Sequence, residues 1–534
     1  MKNSPTSNPA AYPAAYPAAY PEVNKWIIAL TVMLPTLIEI IDTSVVNVSL
    51  NHIRGSLSAG IDEATWTITS YLVSNAIIIP MTGWLSALFG RKRYLVASVS
   101  LFTISSLLCG TAWSLPSLVI FRVLQGIGGG ALQPLSQSIL LETFPRKQHG
   151  MAMAIFGVGI MFGPIIGPLL GGWITDNWSW HWIFFINVPI GVLSVFLVTL
   201  FIHDPSYVKR RIMRIDYAGL ALLSVGLGAL QVVLDKGQRD DWFASGLITA
   251  LTAVSVLCLI LFLLNEYFYA EHPIVDLKVF KNYTFSFGNI IMFFAFFNLF
   301  GSIVLLPIFV QRMMGYTATL AGLVLGPGGF ATLLAMPVAG RLVNKISPKF
   351  LLGTGILLGS YATWMMSRFT LDASFYTILM PRVILGLGMG LLFIPLTTTT
   401  MSVIRREDMG NATAVYNLLR NLGGSFGVAF VTTMEARREQ IHQAYMVGNL
   451  TPFTRQFQTA KNSAAHVISH LAQAPAPSTV SQAASGSIYM NLLKQAAMLA
   501  FNDSFRSLSF FMFLIVPLVF MMKRGRGEAP PGAH

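Results

Sequence analysis

The chain contains few charged residues and almost no cysteine. Only 11% of its 534 residues are charged and 54% are hydrophobic, whereas roughly a quarter of an ordinary soluble domain is charged. The two cysteines, Cys109 and Cys258, lie in separate apolar segments, so neither a disulfide framework nor a cysteine metal site is available. With a mean hydropathy of +0.63, a chain of this length cannot bury its apolar surface in one aqueous core. The sequence therefore predicts an integral membrane protein and excludes a soluble enzyme.

Motifs of common enzyme and nucleotide sites are also missing. No GxSxG, HExxH, Walker A or Rossmann glycine pattern occurs in a usable context. We therefore expect a transporter driven by an ion gradient, with no enzymatic reaction, no metal site and no cofactor. The net charge of +13 comes from short Lys and Arg clusters between apolar segments, which indicates membrane orientation rather than nucleic-acid binding.

Fourteen apolar segments are each long enough to cross a bilayer, which takes about 20 residues. They lie at 26–50, 66–90, 93–113, 117–141, 150–174, 182–203, 215–235, 243–268, 283–309, 318–342, 350–369, 376–402, 410–434 and 505–522. The predicted fold is an all-α membrane protein of two six-helix bundles plus two extra transmembrane helices. Its predicted domains are a disordered tail 1–25, a bundle 26–203, an insertion 204–282, a second bundle 283–522 and a tail 523–534.

Most loop lysines and arginines lie on the side of the membrane that holds both termini. The positive-inside rule makes this side cytoplasmic. The only large extramembrane element, 435–504, then lies on the outer face, and its ends at 437–445 and 487–501 have helical patterns. We interpret it as a docking surface for another protein; the alternative is a solvated spacer.

An internal repeat relates the two bundles. At an offset of 260 residues, Arg122 aligns with Arg382 and Gly163 with Gly423, together with several other glycines. Parallel repeats of this kind are typical of transporters whose site lies between the two halves. The sequence therefore predicts an ion-coupled transporter with a central site.

The first span carries two carboxylates, Glu39 and Asp42, in an apolar segment. Ionised carboxylates are costly in hydrocarbon, and they normally face a cavity or a partner on an ion pathway. Asp42 shares a helical face with Thr31, Pro35 and Ser49. We predict that Asp42 and Glu39 bind a proton or a substrate cation. The alternative is a structural carboxylate held by an arginine.

The fourth span contains Arg122, which needs a counter-charge when it is buried. One interpretation is that Arg122 tunes the protonation of a first-span carboxylate, and structural pairing is the other.

The fifth span has glycines at every fourth position, with prolines between them, which permits close helix packing. We predict that this stripe helps to gate the cycle, and a static packing face is the alternative. Its residues are Gly159, Gly163, Pro164, Gly167, Pro168 and Gly171.

These residues resemble motifs of the major facilitator superfamily, specifically its fourteen-span drug:proton antiporters and the EmrB-like exporters among them. The similarity runs from Trp26 to Met522. The matching residues are Asp42, Thr43, Asn47 and Val48 in the first span, Gly83, Gly90, Arg91 and Arg93 in the second loop, Arg122, Gln125 and Gly126 in the fourth span, and Gly159, Gly163, Pro164, Gly167, Gly171 and Gly172 in the fifth. Ala87 stands where the loop motif usually has an aspartate.

This resemblance implies proton-driven export of hydrophobic or amphipathic toxic compounds across a bacterial inner membrane. It also implies two partners, a periplasmic membrane-fusion adaptor of the EmrA type and a TolC-like outer-membrane channel. In the second half, Asn417, Arg420 and Asn421 are candidate cavity residues beside Asn47 and Gln125. An exporter of narrow specificity, for fatty acids or a siderophore, is the nearest alternative. An uncoupled channel or a sensor is a more distant one.

Overall fold

The computed structural model describes residues 23–204, 216–451, 453–471 and 477–522. These residues form helices joined by turns, with no strand among them. This follows from the composition, because a backbone in lipid must satisfy its hydrogen bonds within the segment. Residues 1–22 and 205–215, and the predicted tail 523–534, lie outside the described part.

The first half of the chain contains nine helices within its described residues. They are α1 (Lys25–Ser56), α2 (Ile61–Ala64), α3 (Trp66–Phe89), α4 (Arg91–Gly110), α5 (Leu115–Gly129), α6 (Leu132–Thr143), α7 (His149–Asn177), α8 (Trp182–Phe185) and α9 (Asn187–Phe201). The insertion forms α10 (Tyr217–Lys236) and α11 (Gly246–Leu264), and α11 ends in a π-helical turn, Asn265–Tyr269.

The second half follows after a short 3-10 helix, Leu277–Lys281. Its helices are α12 (Tyr283–Met314), α13 (Ala318–Leu342), α14 (Pro348–Met366), α15 (Phe375–Ser402), α16 (Met409–Asn449), α17 (Arg455–Leu471), α18 (Pro477–Leu514) and α19 (Val516–Met521).

Eleven helical segments in the described residues are long and apolar enough to cross a membrane. The three other predicted spans, 150–174, 350–369 and 410–434, lie in helices of 29, 19 and 41 residues. Fourteen spans are therefore consistent with the helices, and the exact number stays a prediction.

Two predicted spans are interrupted helices. The segment 117–141 is divided between α5 and α6 at Gly130, where an added Cβ would lie 2.8 Å from the Asn75 carbonyl oxygen. The segment 182–203 is divided between α8 and α9 at Ile186. Hydropathy alone does not reveal such breaks, because the residues on both sides are equally apolar.

The two halves use the same helix pairings. In the first half α1 packs on α7 and α5 packs on both α3 and α4; in the second half α12 packs on α16 and α15 packs on both α13 and α14. Close approach at aligned glycines makes these contacts possible. An added Cβ would lie 2.1 Å from the Ile40 Cγ2 atom at Gly163 and 2.3 Å from the Phe293 carbonyl oxygen at Gly423. The internal repeat is therefore a repeat of packing as well as of sequence.

The predicted outer loop 435–504 is mostly helical in its described residues. Helix α16 continues beyond its predicted span to Asn449, and α18 begins at Pro477, well before the last predicted span. The amphipathic helix α17 packs on α18. At the base of this extension, Arg312 of α12 pairs with Glu435 and Glu439 of α16, and His442 of α16 contacts Asp503 of α18 at 2.9 Å. The loop is thus an extension of two spans.

Candidate functional site

Asp42 lies at the centre of a closed polar cluster and is 1% exposed. Arg122 Nη1 donates to Asp42 Oδ2 at 2.6 Å. The other carboxylate oxygen accepts from Gln125 Nε2 at 3.0 Å and from Asn187 Nδ2 at 2.8 Å. Both amides also donate to Ser106 Oγ. The cluster therefore supplies one positive charge and a full set of donors to an ionised Asp42.

Arg122 is fixed by more than its carboxylate. Its Nε donates to the Thr67 carbonyl oxygen at 3.1 Å, and its Nη1 also donates to Gln125 Oε1 at 2.7 Å. The guanidinium carbon lies 4.1 Å from the centroid of the Tyr71 ring. The geometry thus matches the structural pairing considered for this arginine and also connects it to Tyr71.

Glu39 lies one turn from Asp42 and is 4% exposed. Its Oε1 accepts from the Tyr71 hydroxyl at 3.1 Å and from Asn75 Nδ2 at 3.4 Å, and its Oε2 accepts from Gln133 Nε2 at 2.6 Å. All three donors are neutral. Within the described part of the chain, no lysine or arginine forms an ion pair with Glu39. The two first-span carboxylates therefore occupy chemically different environments.

Gln133 connects Glu39 to the second half of the protein. The Gln133 Oε1 atom accepts a hydrogen bond from Arg420 Nη2 on α16. Arg420 is 7% exposed, and its Nη1 has no partner among the described residues. One turn along α6, Gln137 Oε1 accepts from Asn417 Nδ2 at 2.5 Å. Two glutamines of α6 therefore join the halves deep in the membrane.

Two predicted cavity residues stand apart from this cluster. Asn47 is exposed, and its side chain donates only to the Thr43 carbonyl oxygen of its own helix, at 3.1 Å. Asn421 is half-buried and makes no side-chain hydrogen bond to a described residue. The predicted residues Gln125, Asn417 and Arg420 do contact the buried polar groups.

The repeat partner of Arg122 has a different environment. The offset of 260 that aligns Arg122 with Arg382 also aligns Asp42 with Ser302, and Arg382 Nη1 donates to Ser302 Oγ at 3.2 Å. No described carboxylate pairs with Arg382. Of the two aligned arginines, only Arg122 in the first half therefore has a buried carboxylate partner among the described residues.

The second-loop motif also builds a buried ion pair. Arg91 is 3% exposed and pairs with Glu142 at the end of α6, and Glu142 also accepts from Ser138 Oγ at 3.1 Å. Gly90 precedes it with φ +85°, a value that favours glycine. Arg93 is exposed. Arg91 thus has an acidic partner even though Ala87 replaces the usual aspartate.

The halves touch at the ends that the sequence predicts to be cytoplasmic. A Cβ on Gly83 would lie 2.7 Å from Asn411 Cα, which brings α3 against α16. Helices α7 and α13 also pack on each other, and beside them Asn344 Nδ2, just after α13, donates at 2.9 Å to the carbonyl oxygen of Lys147, just before α7. Nearer the outer face, the described polar contacts across the cleft come from the insertion, such as Gln231 Nε2 to Ser425 Oγ at 3.1 Å. The central polar residues are therefore closed off from the side that the sequence predicts to be cytoplasmic.

The fifth-span glycines form the surface of α7 that meets α1. An added Cβ would lie 2.2 Å from Met33 at Gly159, 2.4 Å from Ser44 at Gly167 and 3.0 Å from Val45 at Gly171. The side chains of Pro164 and Pro168 are outside the described part. This stripe therefore packs against the helix that carries Glu39 and Asp42.

The residues that sequence reasoning missed are mostly neutral. Gln133 and Gln137 recur one turn apart in an apolar span, and this pattern could have identified them. Tyr71, Asn75 and Asn187 give no comparable signal, because they reach the carboxylates from other helices.

Comparison with known proteins identifies the family. The sequence model of the Major Facilitator Superfamily matches residues 32–428. The chain belongs to this superfamily. It is 37% identical over 513 residues to the multidrug export protein EmrB of Escherichia coli strain K12, covering 95% of this chain and 98% of that protein. The predicted resemblance to EmrB-like exporters is therefore confirmed.

Two further similarities bear on fold and function. The fatty acid resistance protein FarB of Neisseria gonorrhoeae is 35% identical over 497 residues, covering 93% of this chain and 96% of FarB. The solved structure of the proton:xylose symporter XylE bound to 6-bromo-6-deoxy-D-glucose aligns with a TM-score of 0.58 at 15% identity, covering 95% of this chain and all of that one. The predicted all-α major facilitator fold is confirmed, and the chain is a multi-pass membrane transporter.

Proposed function

We propose that this protein exports hydrophobic and amphipathic compounds across the bacterial inner membrane in exchange for protons. The substrate class follows the similarity to multidrug export proteins. The coupling rests on one observation: Gln133 joins the buried carboxylate Glu39 of one half to Arg420 of the other half. A group that changes charge at a contact between moving halves is the element that antiport needs.

In the proposed cycle, Glu39 carries the proton. When Glu39 is ionised, its charge favours the Gln133 orientation that donates to Glu39 and accepts from Arg420. Such charge-assisted hydrogen bonds are stronger than neutral ones. Protonation removes this charge and weakens the contact between the halves. The ionised and the protonated forms of Glu39 therefore favour different states of the same contact.

Asp42 and Arg122 hold the geometry around Glu39. Their ion pair places the Arg122 guanidinium on the Tyr71 ring, and the Tyr71 hydroxyl donates to Glu39. Asp42 is paired with an arginine, whereas the hydrogen-bond donors to Glu39 are all neutral. We therefore assign proton exchange to Glu39 and positioning to Asp42, whereas the sequence alone suggested proton or cation binding at both.

The remaining site residues gate the cavity. Gly83 with Asn411, and the ends of α7 and α13, close the cytoplasmic side in this state. The glycine stripe of α7 lets this helix move with α1 as one unit. Opening to the cytoplasm then requires the α3–α16 and α7–α13 contacts to separate.

The outer extension of α16, α17 and α18 is the proposed docking surface for an EmrA-like periplasmic adaptor and, through it, a TolC-like outer-membrane channel. Its surface exposes large apolar side chains that a partner could cover. Among them are Tyr445 at 75% and Phe453 at 97% exposure. Both chain termini lie in the cytoplasm in this arrangement, and no cofactor is needed, because the proton gradient supplies the energy.

Inverted membrane vesicles test the coupling. We expect Glu39→Gln to abolish ethidium uptake driven by a pH gradient, and Asp42→Asn to reduce it. Asp372→Asn, in an exposed outer turn, is the matched control and keeps the wild-type rate. Gradient-driven uptake that persists in Glu39→Gln would contradict the assignment.

A narrow exporter of fatty acids is a second candidate, favoured by the similarity to FarB. Competition between ethidium and chemically unrelated compounds in the same vesicles separates the two. Inhibition by several unrelated cations and acids supports multidrug export. Inhibition by long-chain fatty acids alone supports the narrow exporter.

A further inference from the structure

A groove runs along the membrane face of the second half, between α14 and α18, with a volume of about 530 Å³. Its walls are exposed apolar side chains, and its floor is a hydrogen-bonded pair, Ser360 and Ser509, whose Oγ atoms lie 3.2 Å apart. The apolar residues are Leu357, Tyr361, Trp364, Phe510 and Phe513. One charged residue, Arg506, also lines the groove and is exposed.

Contacts of α14 with α18 and with α19, the short helix that follows α18 after Ile515, fix the depth of Arg506. Lys349 Nζ donates to the Phe520 carbonyl oxygen of α19 near the cytoplasmic end, and Ser360 Oγ donates to the Ser509 carbonyl oxygen of α18, eleven residues away in both segments. Continuing this antiparallel register places Arg506 level with Thr363. At 1.5 Å per residue, Arg506 lies about 21 Å from the level of Phe520. This is within the outer part of a hydrocarbon core that is about 30 Å thick.

An arginine at this depth is costly unless an anion pairs with it or its side chain reaches the interface. Among the residues that the structure describes, no carboxylate pairs with Arg506. The nearest acid along α18, Asp503, accepts from His442 at 2.9 Å and lies 3.8 Å from Arg438, so it is engaged with α16. The groove therefore has an uncompensated positive charge.

The outer rim of the groove adds a second arginine and an aromatic anchor. The Arg368 guanidinium carbon lies 4.5 Å from the centroid of the Trp364 ring, which lines the same groove. Tyr361 stacks on Trp364 with ring centroids 5.8 Å apart. Tryptophan and tyrosine are typical of the membrane interface, where lipid phosphates lie. Apolar walls that lead to two guanidinium groups match the shape and charge of an anionic phospholipid.

We propose that this groove binds an anionic phospholipid of the outer leaflet. Arg506 and Arg368 hold the phosphate, and an acyl chain lies along Leu357, Phe510 and Phe513. The lipid then compensates the charge of Arg506, so that it stabilises the packing of α14 on α18.

The test uses the purified full-length protein in detergent micelles. Thermal unfolding and native mass spectra are compared with added phosphatidylglycerol, phosphatidylcholine or inorganic phosphate. We expect phosphatidylglycerol alone to raise the unfolding temperature, and the mass spectrum to show one retained phosphatidylglycerol. Arg506→Gln should lose more than half of the temperature shift and the retained lipid. Arg437→Gln, an exposed arginine on the outer part of α16, is the matched control and keeps both.

Two variants protect the test against a failure to fold. Arg506→Lys keeps the charge and should give an intermediate shift, and Leu357→Trp fills the groove and should lower lipid retention with Arg506 intact. A full phosphatidylglycerol effect in Arg506→Gln would overturn the proposal, as would an equal effect of phosphatidylcholine or inorganic phosphate. The mass of the protein in nanodiscs gives one more test. If the wild type has the mass of two copies and Tyr361→Arg has the mass of one, a second chain covers the groove, and the proposal is overturned.

Discussion

Gln133 is the residue that connects the proposed proton site, Glu39, to the contact between the halves. Gln133→Leu leaves an apolar side chain and removes both hydrogen bonds, to Glu39 and to Arg420. Hydrogen bonds to charged groups contribute about 1.5–3 kcal/mol. We therefore expect gradient-driven uptake in inverted vesicles to fall about tenfold or more. Gln133→Glu should also fail, because it places a second acid beside Glu39. Wild-type coupling in Gln133→Leu would exclude the bridge.

Arg91 offers a stability test with a close internal control. Arg91 is buried against Glu142, whereas Arg93, two residues later, is exposed. Removing one partner of a buried ion pair costs about 3–5 kcal/mol. Arg91→Gln should therefore lower the unfolding temperature in detergent clearly, while Arg93→Gln leaves it within error. Equal unfolding temperatures would mean that the pair adds nothing to stability.

At this scale the sequence identified charges better than their roles. Glu39, Asp42 and Arg122 were predictable, because a charged side chain in an apolar span is conspicuous. Which carboxylate pairs with Arg122 was not, since both lie on the same span and the choice depends on α5. Ser302 stands beside Arg382 where the first half has Asp42 beside Arg122. This difference can be interpreted only when the structure shows that the two halves repeat the same helix packing.

Substitutions at the contact between α1 and α7 test how closely these two helices must approach each other. At Gly163 an added Cβ would lie 2.1 Å from Ile40 Cγ2 and 3.1 Å from the Ile40 backbone carbon, whereas Gly172 has nothing within 4 Å. Overpacking of this kind costs about 1–3 kcal/mol. Gly163→Ala should therefore reduce both uptake and thermal stability, and Gly172→Ala should change neither. A tolerated Gly163→Ala would show that α1 and α7 separate easily.

At the scale of helices, the sequence predicted that the two inserted helices exist but not where they pack. Hydropathy predicted two extra spans, but no repeat partner indicated their position. In the structure α10 lies against both halves. It binds α3 through Thr69 with Asp235 and through Lys236 Nζ, 4.0 Å from the Trp66 ring centroid, and it binds α16 through Gln231 with Ser425. These few polar groups do not indicate from the sequence which helices they contact.

For the whole molecule, the repeat and the charge distribution predicted two halves around a central site, but not which side of the site is closed. That depends on surface contacts between the halves, which leave no periodic pattern. In the structure α3 packs on α16 and α7 on α13, which closes the side predicted to be cytoplasmic. An antiporter must break these contacts once in each cycle.

Reversible cross-linking tests this requirement. Lys147→Cys and Asn344→Cys, placed together in a background without Cys109 and Cys258, bring two thiols to the cytoplasmic contact where Asn344 donates to Lys147. A short bifunctional disulfide reagent should then stop ethidium uptake in inverted vesicles, because substrate enters from this side, and reductant should restore it. Each single cysteine variant, treated in the same way, should stay active. The contrary outcome is that the cross-linked protein transports as fast as the protein treated with reductant. Substrate would then reach Glu39 by a path that leaves α7 and α13 in contact, and the rocking of two rigid halves would not be the transport motion.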